Sequence, residues 1–424
     1  MQCRNCGSNK LKKIINIGKQ PISSIFYKKK KFNLKKYSLD LYKCKSCSLI
    51  QLSKEAPLRM MYGESYGYQT SISKLMVSHL KKKIQFINSK RYIKKNSYIL
   101  DIGSNDGTFL NLFKKNNCLF GIDPSSNKFK NFYRKDINRI NNFFSKEVID
   151  KFLKKNNFKK KKFDLISSFA IFYDIGNPNE FCRDIYNLLD LNGIWIAEFS
   201  YFPLMLKNLT YDQVCHEHLT YYTFEVFDSI LKKNGLKVLD IFFNEINGGS
   251  IEVVCAKRES KHQINYKKIK SILKDESLIK SKSYQRFNIR INNIKKNINL
   301  FFNKNKKKNI IGYGASTKGN VVLNHCGISN KKLKYICDEN ILKKGRYTPG
   351  TNIKIITKNN IKKINPDFLF VLIWSFRKEV IKEQLKYLNR GGNLVFHLPR
   401  FHIINKNNYK FYLKDKFSSL SYNY

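Results

Sequence analysis

The stretch DQVCHEHLTYYTF, residues 212–224, sets His216, Glu217 and His218 beside Tyr221 and Tyr222, in a chain with only seven histidines. Imidazole exchanges protons near neutral pH, so this is a candidate site for a general base. Histidine with glutamate can also hold a metal. Here, however, the H-E-x-x-H spacing fails, because Thr220 stands where the second histidine would be. Residues 216 and 218 do not share a helix face, which excludes a zinc hydrolase of that type. A catalytic base and a polar turn are the readings that remain. Tyr221 and Tyr222 read as pocket wall or as core, with core favoured.

Cysteine supplies a second candidate chemistry. Cys3-x-x-Cys6 is followed, after 37 intervening residues, by Cys44-x-x-Cys47. Each pair fits a tight knuckle that points two thiolates at one cation, and two knuckles complete a tetrahedral four-cysteine zinc site. Such a closed shell leaves no place for water, so the zinc is expected to be structural. The other six cysteines (118, 182, 215, 255, 326 and 337) are dispersed, which suits reduced thiols better than a disulfide framework.

Glycine turns supply a third. In YILDIGSNDGTFLNLF, Asp101, Gly103, Asp106 and Gly107 form an acidic turn after an apolar run, and Asp123 follows Gly107 by 16 residues. Glycine lets the backbone bend sharply and approach a ligand closely. Two carboxylates would repel a pyrophosphate but suit a ligand carrying an amino group and a sulfonium. An acidic residue at the end of the next strand suits ribose hydroxyls. The pattern points to S-adenosylmethionine (SAM), with Asn105 in the turn and Ser168 on a later strand as further cofactor candidates. A second turn, GYGASTKGN, carries Gly312, Gly314 and Gly319 at a spacing unlike the dinucleotide fingerprint. Ser316, Thr317 and Lys318 there suit phosphate oxygens at a helix start; a simple packing turn is the equal alternative.

These residues need a frame. YILDI, CLFGI, KFDLISSF and LNGIWIAEF read as strands with a helix expected after the acidic turn, and GLKVLDIFFNEINGGSIEVVCAK adds two strands around a Gly-Gly turn. Alternation of strand and helix predicts a doubly wound, mostly parallel sheet with its ligand at the carboxyl ends. Residues 259–308 are Lys-rich with apolar residues at helical spacing, predicting one connecting helix. NIIGYG, LKYICDEN, PDFLFVLIWSF and GGNLVFHLP then start the alternation again. The expected sections are 1–56, zinc-binding; 57–258, SAM-binding with a leading substrate segment; 259–308, the connector; and 309–424, a second Rossmann-like unit.

With 424 residues, 42% of them hydrophobic, the chain has material for two or three cores. Its formal charge of +50 comes mostly from lysine scattered among asparagine and isoleucine. Nucleic-acid binders cluster arginine with exposed aromatics in one segment, so nucleic acid is not the expected partner. MQCRNCGSNK has no apolar leader, and no run reaches the length of a membrane span. A cytoplasmic protein without a membrane partner is expected.

The paired knuckles, LDIGSNDGTFL, HEHLTYYT, NGGSIEV, GYGASTKGNVVLN, GRYTPGT and GGNLVFHLP occur here in the order found in SAM-dependent sugar C-methyltransferases, which this chain resembles over roughly residues 1–405. The resemblance implies an α/β protein with a small N-terminal four-cysteine zinc-binding domain, a central class I SAM methyltransferase domain and a C-terminal Rossmann-like domain. It implies methyl transfer to carbon, C-3 being expected, of a nucleotide-diphosphate-linked 4-keto deoxysugar lying between the last two domains. His218 falls on the family's base and Glu217 on its acidic partner. Tyr66 and Tyr68 fall in its substrate segment, and Tyr222, Asn247 and Arg346 are further substrate-contact candidates. Two positions depart from the family: Cys215 replaces a tyrosine, and only Tyr173 and Asp174 stand near a family histidine. A methyltransferase acting on oxygen or nitrogen, and an inactive scaffold of the same fold, are the rival readings. A monomer is expected.

Overall fold

The computed structural model describes residues 1–62 and 67–415. The first strands, β1 (Leu11–Gln20), β2 (Tyr37–Cys44) and β3 (Ile50–Leu52), form an antiparallel sheet beginning beside the first cysteine knuckle. Helix Lys74–Ser89 comes next. Ser73 caps it by accepting the Met76 amide at 3.3 Å, and Met76, Leu80, Lys83 and Ile87 form its buried stripe.

The central sheet uses β4 (Tyr98–Ile102), β5 (Cys118–Ile122), β6 (Ile137–Ile140), β7 (Phe163–Phe169) and β8 (Leu189–Ser200). After the short β9 (Thr220–Tyr221), β10 (Leu236–Asn244) and β11 (Ser250–Lys257) complete it. The order is β10-β11-β8-β7-β4-β5-β6, with β11 antiparallel to both neighbours and the rest of the ladder parallel. Residues 99–102 of β4 and 119–122 of β5 are continuously buried, as strands covered on both faces must be. The edge strand β6 has no long apolar run to announce it.

The C-terminal sheet contains β12 (Ile310–Tyr313), β13 (Tyr335–Asp338), β14 (Lys354–Thr357), β15 (Phe368–Val371), β16 (Asn393–Phe396) and β17 (His402–Ile404). Its order is β14-β13-β12-β15-β16-β17, parallel except for β17. Both α/β sheets thus put their first strand in the middle, where a crevice opens at the carboxyl ends.

Two expectations are corrected. No α-helix follows the acidic turn; the chain makes only the 3-10 turn Leu110–Leu112. The apolar residues Phe109, Leu110 and Phe113 are buried within that one turn, and Lys114, Lys115, Asn116 and Asn117 offer no stripe to extend it. The single connector is two helices, Tyr266–Glu276 and Ser281–Lys304, serving different cores. Ile272 on the first joins the central core, whereas Phe287, Ile291, Ile294 and Ile298 on the second join the C-terminal one. Glu276 ends the first helix by accepting the Tyr201 hydroxyl at 2.6 Å and the Glu225 amide at 2.9 Å, a carboxylate set at the start of helix Phe224–Lys233.

The strand β9 belongs to the N-terminal sheet, whose order is β1-β2-β3-β9. Ile50 pairs with Tyr221 and Gln51 with Thr220, and the Leu52 amide donates to the Leu219 carbonyl at 2.9 Å. Among the described residues, no helix is long and apolar enough to cross a membrane.

Candidate active site

The four N-terminal cysteines meet. Cys3 Sγ lies 3.4 Å from Cys47 Sγ and Cys6 Sγ 3.6 Å from Cys44 Sγ, and all four sulfurs fall within 4.8 Å of one another. A tetrahedron of thiolates about zinc has sulfur–sulfur edges of about 3.8 Å, so the donor set fits that metal and closes its shell. The knuckles are built alike. Gly7 N donates to Cys3 O and Ser48 N to Cys44 O, and Gly7 and Ser48 both take positive φ (72° and 62°).

The carboxyl ends of the central and C-terminal sheets face one cavity of about 580 Å³. Asp101, Gly103 and Asn105 line it from the acidic turn, and Asp123 from the end of β5. Gly103 has φ +74°, and a Cβ there would come within 2.3 Å of Ile171 Cδ1, so the turn requires glycine. Asp123 accepts the Asn105 amide at 3.0 Å and the Ser125 amide at 2.6 Å. Asp101 accepts the Ser167 hydroxyl at 2.7 Å, and burial pushes its carboxyl up to about 7. Carboxylates at the ends of β4 and β5 are the acceptors that an ammonium and ribose hydroxyls need, so the residues fit SAM.

Three other cofactor candidates support the turn from behind, outside the cavity lining. Asp106 is consumed locally, accepting the Ser71 amide at 2.9 Å and the Thr108 hydroxyl at 2.5 Å. Gly107 packs under the Tyr133 ring, and Ser168 accepts the Trp195 indole N–H at 2.9 Å.

Tyr68, whose carbonyl accepts the Asn105 side-chain amide at 3.3 Å, lines the same cavity beside the turn, and Cys215, Glu217, His218, Asn247, Ser316, Thr317 and Lys318 line it as well. The His218 ring lies 4.0 Å from that of Tyr173. Burial, and then the Lys318 ammonium, push its imidazole down to about 3, which keeps it neutral. Burial pushes the Glu217 carboxyl up. Neither Glu217 oxygen has a hydrogen-bond partner among the described residues. Lys318 Nζ donates to Asn247 Oδ1 at 3.1 Å. Ser316 caps helix Thr317–Cys326, accepting the Gly319 amide at 2.9 Å, so free amides of that helix start face the crevice beside Lys318.

His216 turns the other way. It is fully buried against the N-terminal section, its Nδ1 3.4 Å from the Ser23 amide, and burial pushes its imidazole down to about 4. Tyr222 is core rather than pocket, packed 4.8 Å from Phe172 and 5.6 Å from Phe199. Arg346 spends its guanidinium on the Leu342 and Phe26 carbonyls at 2.8 and 3.1 Å and does not itself line the cavity. Tyr66 lies outside the described residues.

Two acidic lining residues have no role expected from the sequence. Asp212 accepts the Trp374 indole N–H at 2.8 Å across the two sections. Glu198, near the end of β8, accepts His79 Nε2 at 2.9 Å and the Asn244 amide at 2.8 Å. For Glu198 an acidic residue near a strand end was the available signal; Asp212, in the turn Tyr211–Gln213, had none.

A seven-stranded sheet of this order, with an acidic glycine turn and a strand-end carboxylate on its first two strands, defines a SAM-dependent methyltransferase. Comparison with known proteins carries this further. Three family models match consecutively: "Putative zinc binding domain" over residues 3–62, a methyltransferase domain over 75–241, and a C-methyltransferase C-terminal domain over 245–399. The C-methyltransferase NovU of Streptomyces niveus is 23% identical over 410 residues, covering 95% of this chain and 96% of that protein. Solved structures with similarity include the plantazolicin methyltransferase BpumL in complex with SAH (15% identity, 42% of this chain and 82% of that one, TM-score 0.33). Another is a SAM-dependent methyltransferase from Clostridium acetobutylicum (14%, 43% and 92%, TM-score 0.31). The chain is a SAM-dependent methyltransferase similar along its length to a C-methyltransferase, and both SAM and zinc are its cofactors.

Proposed function

We propose that this protein methylates the carbon beside the ketone of a nucleotide-linked 4-keto deoxysugar, with C-3 the expected position. The observation that carries the reading is one cavity holding a neutral imidazole, a glutamate and a lysine between the cofactor turn and a second nucleotide-type sheet. Carbon beside a ketone becomes nucleophilic only after losing a proton, which gives a buried neutral base its task. SAM, when bound, supplies an electrophilic methyl group.

In this reading His218 takes the carbon-bound proton. Glu217, which has no partner of its own among the described residues, orients the sugar by accepting its hydroxyls. Lys318, Ser316 and Thr317 take the diphosphate at the start of their helix. Asn247 fixes Lys318, while Tyr68 and Cys215 wall the sugar. Asp101, Gly103, Asn105 and Asp123 hold the cofactor on the other side, and exclusion of water strengthens each of these contacts.

The test is proton exchange in heavy water, using thymidine-diphosphate- and uridine-diphosphate-linked 4-keto-6-deoxyhexoses. Wild type should exchange deuterium into the carbon beside the ketone and methylate it when SAM is added. His218→Ala should lose both while still binding SAH. No exchange and no methylation across the panel would refute the substrate reading, and normal exchange by His218→Ala would refute the base.

A further inference from the structure

Asp174 closes the short turn Phe172–Asp174 after β7, and half of its carboxyl is unused. Tyr62 donates its hydroxyl to Oδ2 at 3.0 Å. Oδ1 is buried and has no hydrogen-bond partner among the described residues, yet the residue lines the cavity with His218, Glu217 and Lys318. An ionised oxygen left in that position would be unsolvated and unpaired, which a protein avoids by keeping the group protonated. Burial first, and the charge of Glu217, push the carboxyl well above the usual range, against the Tyr62 hydrogen bond and the Lys318 ammonium.

The placement of Asp174 relative to the base is also fixed. The carbonyl of the preceding residue, Tyr173, accepts the Leu219 amide at 2.8 Å and the Thr220 hydroxyl at 3.2 Å, directly after His218. The Tyr173 ring lies 4.0 Å from the His218 ring. One junction therefore holds His218 and Asp174 in a common frame.

We propose that Asp174 stands as the neutral acid and donates a hydrogen bond from Oδ1 to the substrate oxygen that gains charge when His218 takes the carbon-bound proton. This rests on the ketone reading above. The C–H bond breaks, its proton passes to the imidazole, and its electron pair forms the new C=C bond. The carbonyl π pair moves onto oxygen, where Asp174 stabilises it while keeping its own proton. As the C=C pair forms the new carbon–methyl bond, the methyl–sulfur bond of SAM would break with its electron pair left on sulfur, and the oxygen pair returns to restore the ketone. A fixed donor at a developing oxyanion is worth about 10²–10³-fold in rate.

Asp174→Asn keeps a donor for the substrate and an acceptor for Tyr62, whereas Asp174→Ala removes both. Three measurements decide the matter: SAH binding by calorimetry as a check on folding, exchange with the thymidine-diphosphate-linked ketohexose, and infrared difference spectra between wild type and Asp174→Asn. We expect a protonated-carboxyl band at neutral pH that the asparagine variant lacks. Exchange should fall at most about tenfold in Asp174→Asn and about 10²–10³-fold in Asp174→Ala, in kcat more than in KM. Absence of the band, or equal losses in the two variants, overturns the proposal. If wild type shows the band but exchanges no proton from any ketosugar, the donor role falls together with the substrate reading, while the protonated state of Asp174 stands by itself.

Discussion

His218 and Glu198 occupy the same cavity lining in opposite electrostatic states. For His218, burial and Lys318 both disfavour the charged form, so replacing Lys318 by methionine removes one of the two influences. The imidazole then holds a proton more readily. The acid limb of kcat/KM should move to higher pH in Lys318→Met, as a pH–rate profile will show; an unmoved limb means that the lysine does not act on the base. For Glu198, burial opposes ionisation, but the His79 hydrogen bond and the Lys83 charge prevail and hold the carboxyl near 2. Lys83 also pairs with Glu252, opposite Glu198 on β11. A depressed carboxyl stabilises the fold above its unfolded value of about 4.3, and that contribution fades as pH falls towards 2. Glu198→Gln should therefore cost about 3–5 kcal/mol in urea unfolding at pH 7, with the deficit shrinking below pH 4. The histidines of residues 216–218 and the cysteine pairs were legible because their partners lie within a few residues or repeat a spacing. The His79–Glu198 contact was not, because 119 positions separate its members and only the sheet brings them together.

Among the elements, β3 and β9 carry the connection between metal and base. Gln51 accepts the Arg4 amide at 2.9 Å and donates to the Gln2 carbonyl at 3.0 Å, clamping the first knuckle to β3. The backbone of the same residue pairs with Thr220, two residues after His218. Stripping zinc with a chelator should raise hydrogen–deuterium exchange in residues 44–52 and also in residues 216–222. Faster exchange confined to the cysteine knuckles would show that the strands do not transmit the loss. Strand and turn were readable where apolar runs are long, as at β4 and β12, and at β12 the helix that follows as well. A two-residue strand such as β9 has no periodicity of its own, and its pairing is imposed by the partner edge. The 3-10 turn after β4 was hidden for a related reason. Glycine and apolar residues announce a turn and a packed segment, while the length of a helix is decided by whether residues further along the chain continue the apolar stripe.

For the whole molecule, the order of sections was legible from cysteine pairs and glycine turns, but the way they close on one another was not. Gly248 and Trp374 meet across the central and C-terminal sections, and a Cβ on Gly248 would come 2.6 Å from the indole. Its φ of +87° adds backbone strain to any substitution. Gly248→Ala should lower stability by about 1–3 kcal/mol and depress methyl transfer, while SAH binding in calorimetry stays near wild type. Loss of SAH binding would mean that the cofactor turn depends on this contact. The N-terminal sheet, finally, takes its fourth strand from residues 220–221. During synthesis from the N-terminus the first three strands emerge with one edge unmet, and about 170 further residues must emerge before β9 can cover it. The metal knuckles can close early, but the sheet they anchor is finished only when the segment bearing the base arrives, so the order of translation makes the histidine loop the closing piece of the protein's first domain.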